Sequence, residues 1–308
     1  MPQSKATLTG LLAILLWSTI VGLIKSVSES FGPVTGAALI YSASALLLLL
    51  TVGFPDLRQF PRRYLLIGSL LFVCYELCLS LSLSLSLGFT HSGHQAIEVG
   101  MVNYLWPAMT IVLTVMVNRQ KTSPLIIPGV LLAVAGICRV LSGDRGFSLG
   151  EMIDNVMDNP LSYGLAFGGA MIWAVYCVVT KNSAKGSNGI TLFFMLTALT
   201  LWRKSLLSPQ PPVVFSLQAC ISLALTAMAM GFGYAAWNVG ILHGNVTLLA
   251  AVSYFIPIIS SLIAAFIFNA SLTFSFWQGT TMVCLGSLLC WWSTRGTATR
   301  KLENNTLE

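Results

Sequence analysis

The segment NYLWP, Asn103–Pro107, returns 150 residues later as SYFIP, Ser253–Pro257; each sets a tyrosine three residues ahead of a proline inside an apolar run. In the same register Gly129 falls on Gly279 and Gly136 on Gly286. A neighbouring register, offset by 156, lays Trp17 on Trp173 and Lys25 on Lys181. Self-similarity at a long fixed period marks a duplicated structural unit. The sequence therefore predicts two related halves, and the next question is what each half is made of.

Composition answers it. The 308 residues are 56% hydrophobic and 8% charged, with a mean hydropathy of +0.81. A soluble domain solvates its surface with about a quarter charged residues, so this surface faces something other than water. A soluble enzyme, a disordered regulator and a nucleic-acid binder are excluded. Crossing a hydrocarbon layer takes roughly 20 helical residues, because each backbone N–H and C=O has to be satisfied within its own segment. That length predicts an all-α polytopic membrane protein with ten spans, near 6–26, 33–53, 64–87, 94–117, 124–142, 161–181, 189–207, 215–239, 245–268 and 274–294. The first span, which opens at Lys5, has no small-residue cleavage site and reads as retained rather than as a signal peptide. Leu79–Leu87 alternates Leu with Ser in a strand-like period, yet lies within a helical length, so Ser80, Ser82, Ser84 and Ser86 become small residues that permit close helix contact.

Ten spans in two halves give five helices each: residues 1–142 form the first repeat, 143–160 an acidic external connection, 161–295 the second repeat and 296–308 a cytoplasmic tail, polar and without periodicity from Leu302 onward. An odd helix number makes the second half enter the membrane from the opposite face, so the repeats are inverted. With a cytoplasmic amino terminus the inner segments hold eleven cations (Lys5, Arg58, Arg62, Arg63, Arg119, Lys121, Lys181, Lys185, Arg295, Arg300, Lys301) and the outer ones five (Lys25, Arg139, Arg145, Arg203, Lys204), which favours both termini inside. Inverted halves can exchange conformations and open a midplane site to each side in turn, the behaviour of a secondary transporter working by alternating access.

Candidate site residues are polar or aromatic groups deep in spans, where an ionisable side chain costs about 3 kcal/mol and is seldom idle. Glu76, beside Tyr75 near the middle of the third span, reads either as a proton site or ammonium partner, or as a carboxylic acid bonded to a neighbouring helix. Glu98 opens the fourth span, where a carboxylate also meets the helix dipole favourably. Trp17 and Trp173 occupy matching midspan positions, whereas Trp277, Trp291 and Trp292 suit an interfacial belt. Asn103, Trp106 and Thr110 share one helical face, as do Trp173, Tyr176 and Thr180, and Tyr234, Trp237 and Asn238. Such faces either line a cavity that stacks on flat rings or simply pack between helices. Tyr104 and Tyr254 accompany Pro107 and Pro257, each of which frees a carbonyl one turn back and serves as a kink or hinge. His94 can meet a substrate arriving from outside, while His91, His94 and His243 together lie too far apart in the topology for one metal site. Gly32 and Gly36, and Gly164 and Gly168, have the spacing of helix-packing pairs, and Lys25 and Lys181 close the first and sixth spans. The seven cysteines lie in apolar runs without a C-x-x-C pair and read as small hydrophobes.

The stretches HQAIEVGMVNYLWP (His94–Pro107), YAAWNVGILHGNVT (Tyr234–Thr247), SYFIP (Ser253–Pro257) and SFWQG (Ser275–Gly279), with the glycine-rich fifth and tenth spans, resemble the drug/metabolite transporter superfamily with its EamA-type repeats, and within it the YddG-type aromatic amino-acid exporters of bacterial inner membranes. The resemblance covers nearly the whole chain. It implies a basket of ten helices around a central cavity, export of amino acids including the aromatic ones, and Tyr104, Trp106 and Trp173 as cavity residues. The expected reading is a secondary exporter of neutral amino acids, with a multidrug or cationic-metabolite exporter and a solute channel as alternatives. Its partners are then the amino-acid substrate and membrane lipids, without nucleic acid, and either a monomer or a homodimer is compatible. No cofactor and no metal is implied, and no HExxH or GxSxG string suggests an enzyme.

Overall fold

The computed structural model describes residues 2–90, 93–119, 122–142, 148–185, 188–207, 209, 212–213, 215–244, 249 and 252–305. Among these there is no strand, and thirteen α-helices are described: α1 (Gln3–Ser18), α2 (Ile20–Phe31), α3 (Pro33–Thr51), α4 (Arg62–Thr90), α5 (Gly93–Asn103), α6 (Trp106–Val117), α7 (Ile126–Leu141), α8 (Leu149–Asp158), α9 (Pro160–Ser183), α10 (Ile190–Leu207), α11 (Leu217–His243), α12 (Ile256–Phe268) and α13 (Phe274–Asn305). Among the described residues six helical stretches are long and apolar enough to cross a membrane unaided: Pro33–Thr51, Arg62–Ser86, Gln95–Val117, Pro160–Ser183, Ile190–Leu207 and Leu217–Trp237. The protein is a multi-pass helical membrane protein. Large apolar side chains such as Leu8, Leu50, Leu66, Leu199 and Phe266 point outward, the arrangement that lipid tails favour.

Several element boundaries differ from the sequence expectation, each for a local reason. The first span is not one helix: α1 and α2 meet at a 41° bend at Thr19. There the Ser18 hydroxyl donates to the Ile14 carbonyl at 2.7 Å and the Thr19 hydroxyl to Leu16, also at 2.7 Å; hydroxyls that compete for helix carbonyls bend helices. Lys25 consequently lies within α2 rather than closing a helix. The fourth span breaks at Tyr104–Leu105, with Pro107 in the first turn of α6, and Pro257 likewise lies in the first turn of α12. The acidic connection holds a helix, α8, because Met152 and Val156, one turn apart, pack on the core and the Asn155 amide donates to the Leu141 carbonyl at 2.7 Å. The last helix continues to Asn305, so 302–305 are helical instead of irregular.

Capping follows ordinary rules. Asn159 accepts from the Ser162 amide ahead of α9, and Ser216 from the Ala219 amide ahead of α11. Gly32, at φ 76°, makes the tight reversal between α2 and α3, a conformation that other residues adopt at a cost.

The most extensive packing joins α7 to α13, followed by α4 to α9, α1 to α11 and α3 to α10. At the α7–α13 seam, Gly129 faces Gly286 and Gly136 faces Gly279. A β-carbon on Gly136 would stand 2.6 Å from the Gly279 carbonyl oxygen, and one on Gly279 would stand 2.5 Å from that of Gly136. Backbone therefore rests on backbone. The spacing Gly164–Gly168 does not pack in this way: both face open space, and Gly169 is the α9 glycine in contact, against Cys78 and Tyr75. Gly36 does pack, on the Val27 backbone. Ser80, Ser82, Ser84 and Ser86 are all buried along α4.

Candidate substrate-binding site

A cavity of about 70 Å³ lies where α1, α2, α4, α5, α6, α9, α11 and α12 approach one another. Trp17, Tyr75, Tyr104, Trp106, Trp173 and Tyr234 supply aromatic walls, and Asn103 and Gly100 line the α5 side. Ile20, Val21, Leu79, Leu83, Met230 and Ile256 complete it. Among the described residues none that lines it carries a charge.

The walls are built in a definite way. Trp173 is the hub: its ring lies 4.4 Å from Tyr75, 4.9 Å from Tyr176 and 6.3 Å, edge-on, from Trp106. Tyr234 bridges the two matched tryptophans, 5.0 Å from Trp17 and 6.1 Å from Trp173. Trp237 backs Trp17 at 5.3 Å. Glycine makes room for these rings: the Trp17 indole nitrogen presses on Gly233 so closely that a β-carbon there would stand 2.6 Å away. Such offset and edge-on ring pairs are worth about 0.5–1.5 kcal/mol each beyond area burial.

Two wall residues have an unmet polar atom: the Trp17 indole N–H and the Asn103 side-chain carbonyl. Asn103 is 5% exposed, and its side-chain carbonyl has no hydrogen-bond partner. Its backbone carbonyl sits four residues before Pro107, which has no N–H to offer it. A buried acceptor left open costs about 1–3 kcal/mol, so a donor brought by a ligand is favoured there.

The remaining sequence candidates whose side chains are described fall outside this cavity. Glu76 is fully buried behind it, accepting from the Tyr41 hydroxyl on Oε2 and the Tyr234 hydroxyl on Oε1, both at 2.5 Å. Glu98 accepts from Tyr163 at 2.7 Å between α5 and α9, next to the Asn159–Gln95 bond at 3.1 Å. Tyr176 stacks behind Trp173. Tyr254 borders a second, smaller cavity, shared by Tyr104, Trp106, Pro107, Ser253 and Pro257, so both Tyr-x-x-Pro segments meet at one place. The side chains of Lys25, His94 and Asn238 lie outside the described residues, as does His91. Sequence reasoning did not select the aliphatic lining or Tyr41. A lone phenol in the otherwise uncharged Pro33–Thr51 span was the available signal for Tyr41.

Comparison with known proteins fits this architecture. A family described as the EamA-like transporter family matches residues 160–292. Two curated relatives, each called Aromatic amino acid exporter YddG, come from Salmonella typhimurium (strain 14028s / SGSC 2262) and Escherichia coli (strain K12); each is 59% identical over 295 residues, 96% of this chain and 99% of the relative. The chain belongs to the EamA-like transporter family. A third protein of the same name, from Ancylobacter novellus, is 29% identical over 272 residues, covering 85% of this transporter and 88% of its own length. One crystal structure, 22% identical, covers 95% of this chain and 99% of its own at a TM-score of 0.66, a likeness of fold.

Proposed function

We propose that this transporter exports aromatic and other neutral amino acids across the bacterial inner membrane. The observation that carries the reading is the uncharged cavity walled by three tryptophans and three tyrosines, with an open amide acceptor on one side. Its rings suit a flat side chain. Asn103 and the tyrosine hydroxyls offer partners to a zwitterion, which is neutral overall and needs no counter-ion. The full-length relatives bearing the name aromatic amino acid exporter support the same substrate class.

The mechanism we infer is alternating access between two inverted five-helix repeats, residues 1–142 and 161–295, with both termini cytoplasmic. The bent pair α1–α2, the shorter helices α7 and α12, and α13 would complete ten spans beside the six long ones. Support comes from reciprocal packing. The glycines that match in sequence, Gly129 with Gly279 and Gly136 with Gly286, make crossed contacts, as a two-fold relation between halves requires. The α4–α9 and α1–α11 packings are equivalent under the same exchange of halves. Pro107 and Pro257 are the hinge candidates, because each follows a helix break at the shared small cavity.

Aromatic faces also attract organic cations, which keeps a cationic-metabolite exporter as the second reading. Efflux of labelled phenylalanine, threonine and a quaternary amine from loaded vesicles separates them. Phenylalanine is expected to leave fastest, at below about 10³ per second, in the range of ordinary catalytic turnover. A quaternary amine outrunning both amino acids would overturn the assignment.

A further inference from the structure

We infer that Glu76 is a proton-binding site linked to cavity occupancy through Tyr234; this rests on the exporter reading above. Glu76 has no exposed surface, and among the described residues no cation pairs with it; its hydrogen-bond partners are Tyr41 of α3 and Tyr234 of α11. Among the described residues the titratable groups facing it are these two and Tyr75 on α4 itself; α2 also packs on α4, and the side chain of its Lys25 lies outside the described residues. Of the other helices packed on α4, α5 carries Glu98, which Tyr163 of α9 holds elsewhere, and α10 presents the rings of Phe193 and Phe194 to Phe72, one turn before Glu76.

Glu76 itself is satisfied in either protonation state. As a carboxylate, Glu76 accepts from both hydroxyls. As an acid it donates one proton to a tyrosine oxygen and accepts from the other tyrosine, because a phenol both donates and accepts. An uncompensated carboxylate in a dry interior is costly, so the ionised form depends on keeping both donors.

Tyr234 is the member that reaches the cavity. The cavity, at about 70 Å³, holds a few waters and is small beside the roughly 300–1,000 Å³ of ordinary ligand pockets. An aromatic substrate therefore needs the walls to retreat, and the ring of Tyr234, wedged between Trp17 and Trp173, retreats with them. Withdrawing its hydroxyl leaves the carboxylate one donor. A proton from water then adds to Oε1, the carboxylate becomes a neutral acid, and hydroxide remains in the solvent to be neutralised by buffer. Glu76 is accordingly a coupling residue that acts through Tyr234 and does not touch substrate. Linkage is reciprocal, so proton uptake on binding means that substrate affinity rises as pH falls through the titration of Glu76.

The test uses the purified full chain in weakly buffered detergent with a pH-sensitive dye, reading protons taken up per phenylalanine bound. Wild type is expected to take up between about 0.3 and one proton, depending on starting pH, where linkage sets one as the limit for a single group. Glu76→Gln keeps one acceptor and one donor for the two tyrosines, and the ratio is expected to fall at least tenfold whatever happens to affinity. If that variant does not fold, Tyr234→Phe has its link already cut, and the ratio is expected to fall at least threefold. Proton release in place of uptake, or a ratio unchanged in the variant measured, overturns the inference. Should phenylalanine fail to bind wild type, the substrate reading is what fails, and the infrared carbonyl band of a protonated carboxyl decides the site alone. A band that titrates in wild type and vanishes in Glu76→Gln supports it, and a band insensitive to pH or to the substitution overturns it.

Discussion

The α7–α13 seam and the central cavity use glycine for opposite ends. At the seam Gly129, Gly136, Gly279 and Gly286 bring two backbones together with nothing between them. Around the cavity Gly233 and Gly169 admit side chains instead, making space for the Trp17 ring and for Tyr75, Cys78 and Asn103. Lipid tails are as apolar as the helices, so close van der Waals packing is what holds spans to one another. One region of this chain sets backbone against backbone, and the other sets glycine against aromatic rings.

The contrast breaks first at the seam. Gly136→Leu would drive a side chain into the Gly279 carbonyl and the Val283 amide, neither of which can yield. Overpacking of this kind costs about 3 kcal/mol or more, and the expected result is a lower thermal midpoint and less monodisperse protein on size-exclusion chromatography. At the cavity, Trp173→Leu removes the hub ring that contacts Tyr75, Trp106 and Tyr176. Equilibrium binding should show phenylalanine affinity reduced about tenfold, roughly 1.4 kcal/mol, with threonine less affected. If Trp173→Leu melts the protein and Gly136→Leu spares it, the division of labour drawn here is reversed.

A gentler probe is Pro107→Ala, which restores an N–H to the Asn103 carbonyl and straightens the break before α6. Vesicle efflux is expected to slow by about threefold, on the order of 0.7 kcal/mol in barrier, with little change in binding. The smallest effect on transport belongs to Gly164→Ala. Open space surrounds that position inside α9, so the added methyl should stabilise the helix by about 0.5–1 kcal/mol, visible as a slightly raised midpoint at unchanged efflux.

Much of this was legible from residues, and the failures have physical causes. The glycine register that matched 129 with 279 and 136 with 286 marked the repeat, and the structure sets the same four glycines at the α7–α13 seam, where only glycine permits such backbone contact. Trp17, Asn103, Tyr104, Trp106, Trp173 and Tyr234 all border the cavity, as polar or aromatic groups at midspan can. The bend at Thr19 was invisible to a hydropathy window, which does not register two hydroxyls turning onto helix carbonyls. Gly164 and Gly168 had packing spacing but face outward, since spacing says which residues share a face and not which face meets a neighbour. Tyr41 escaped notice because its partner, Glu76, lies 35 positions along the chain on another helix.

The crossed glycines have a mechanical consequence. Gly129 and Gly136 are seven residues apart, as are Gly279 and Gly286, so the two touching points stand about 10 Å from each other at 1.5 Å per residue. A single contact is a pivot, while two separated ones fix angle as well as position. Together α7 and α13 behave as one stiff post, and any rocking of the molecule has to swing the other helices about that axle.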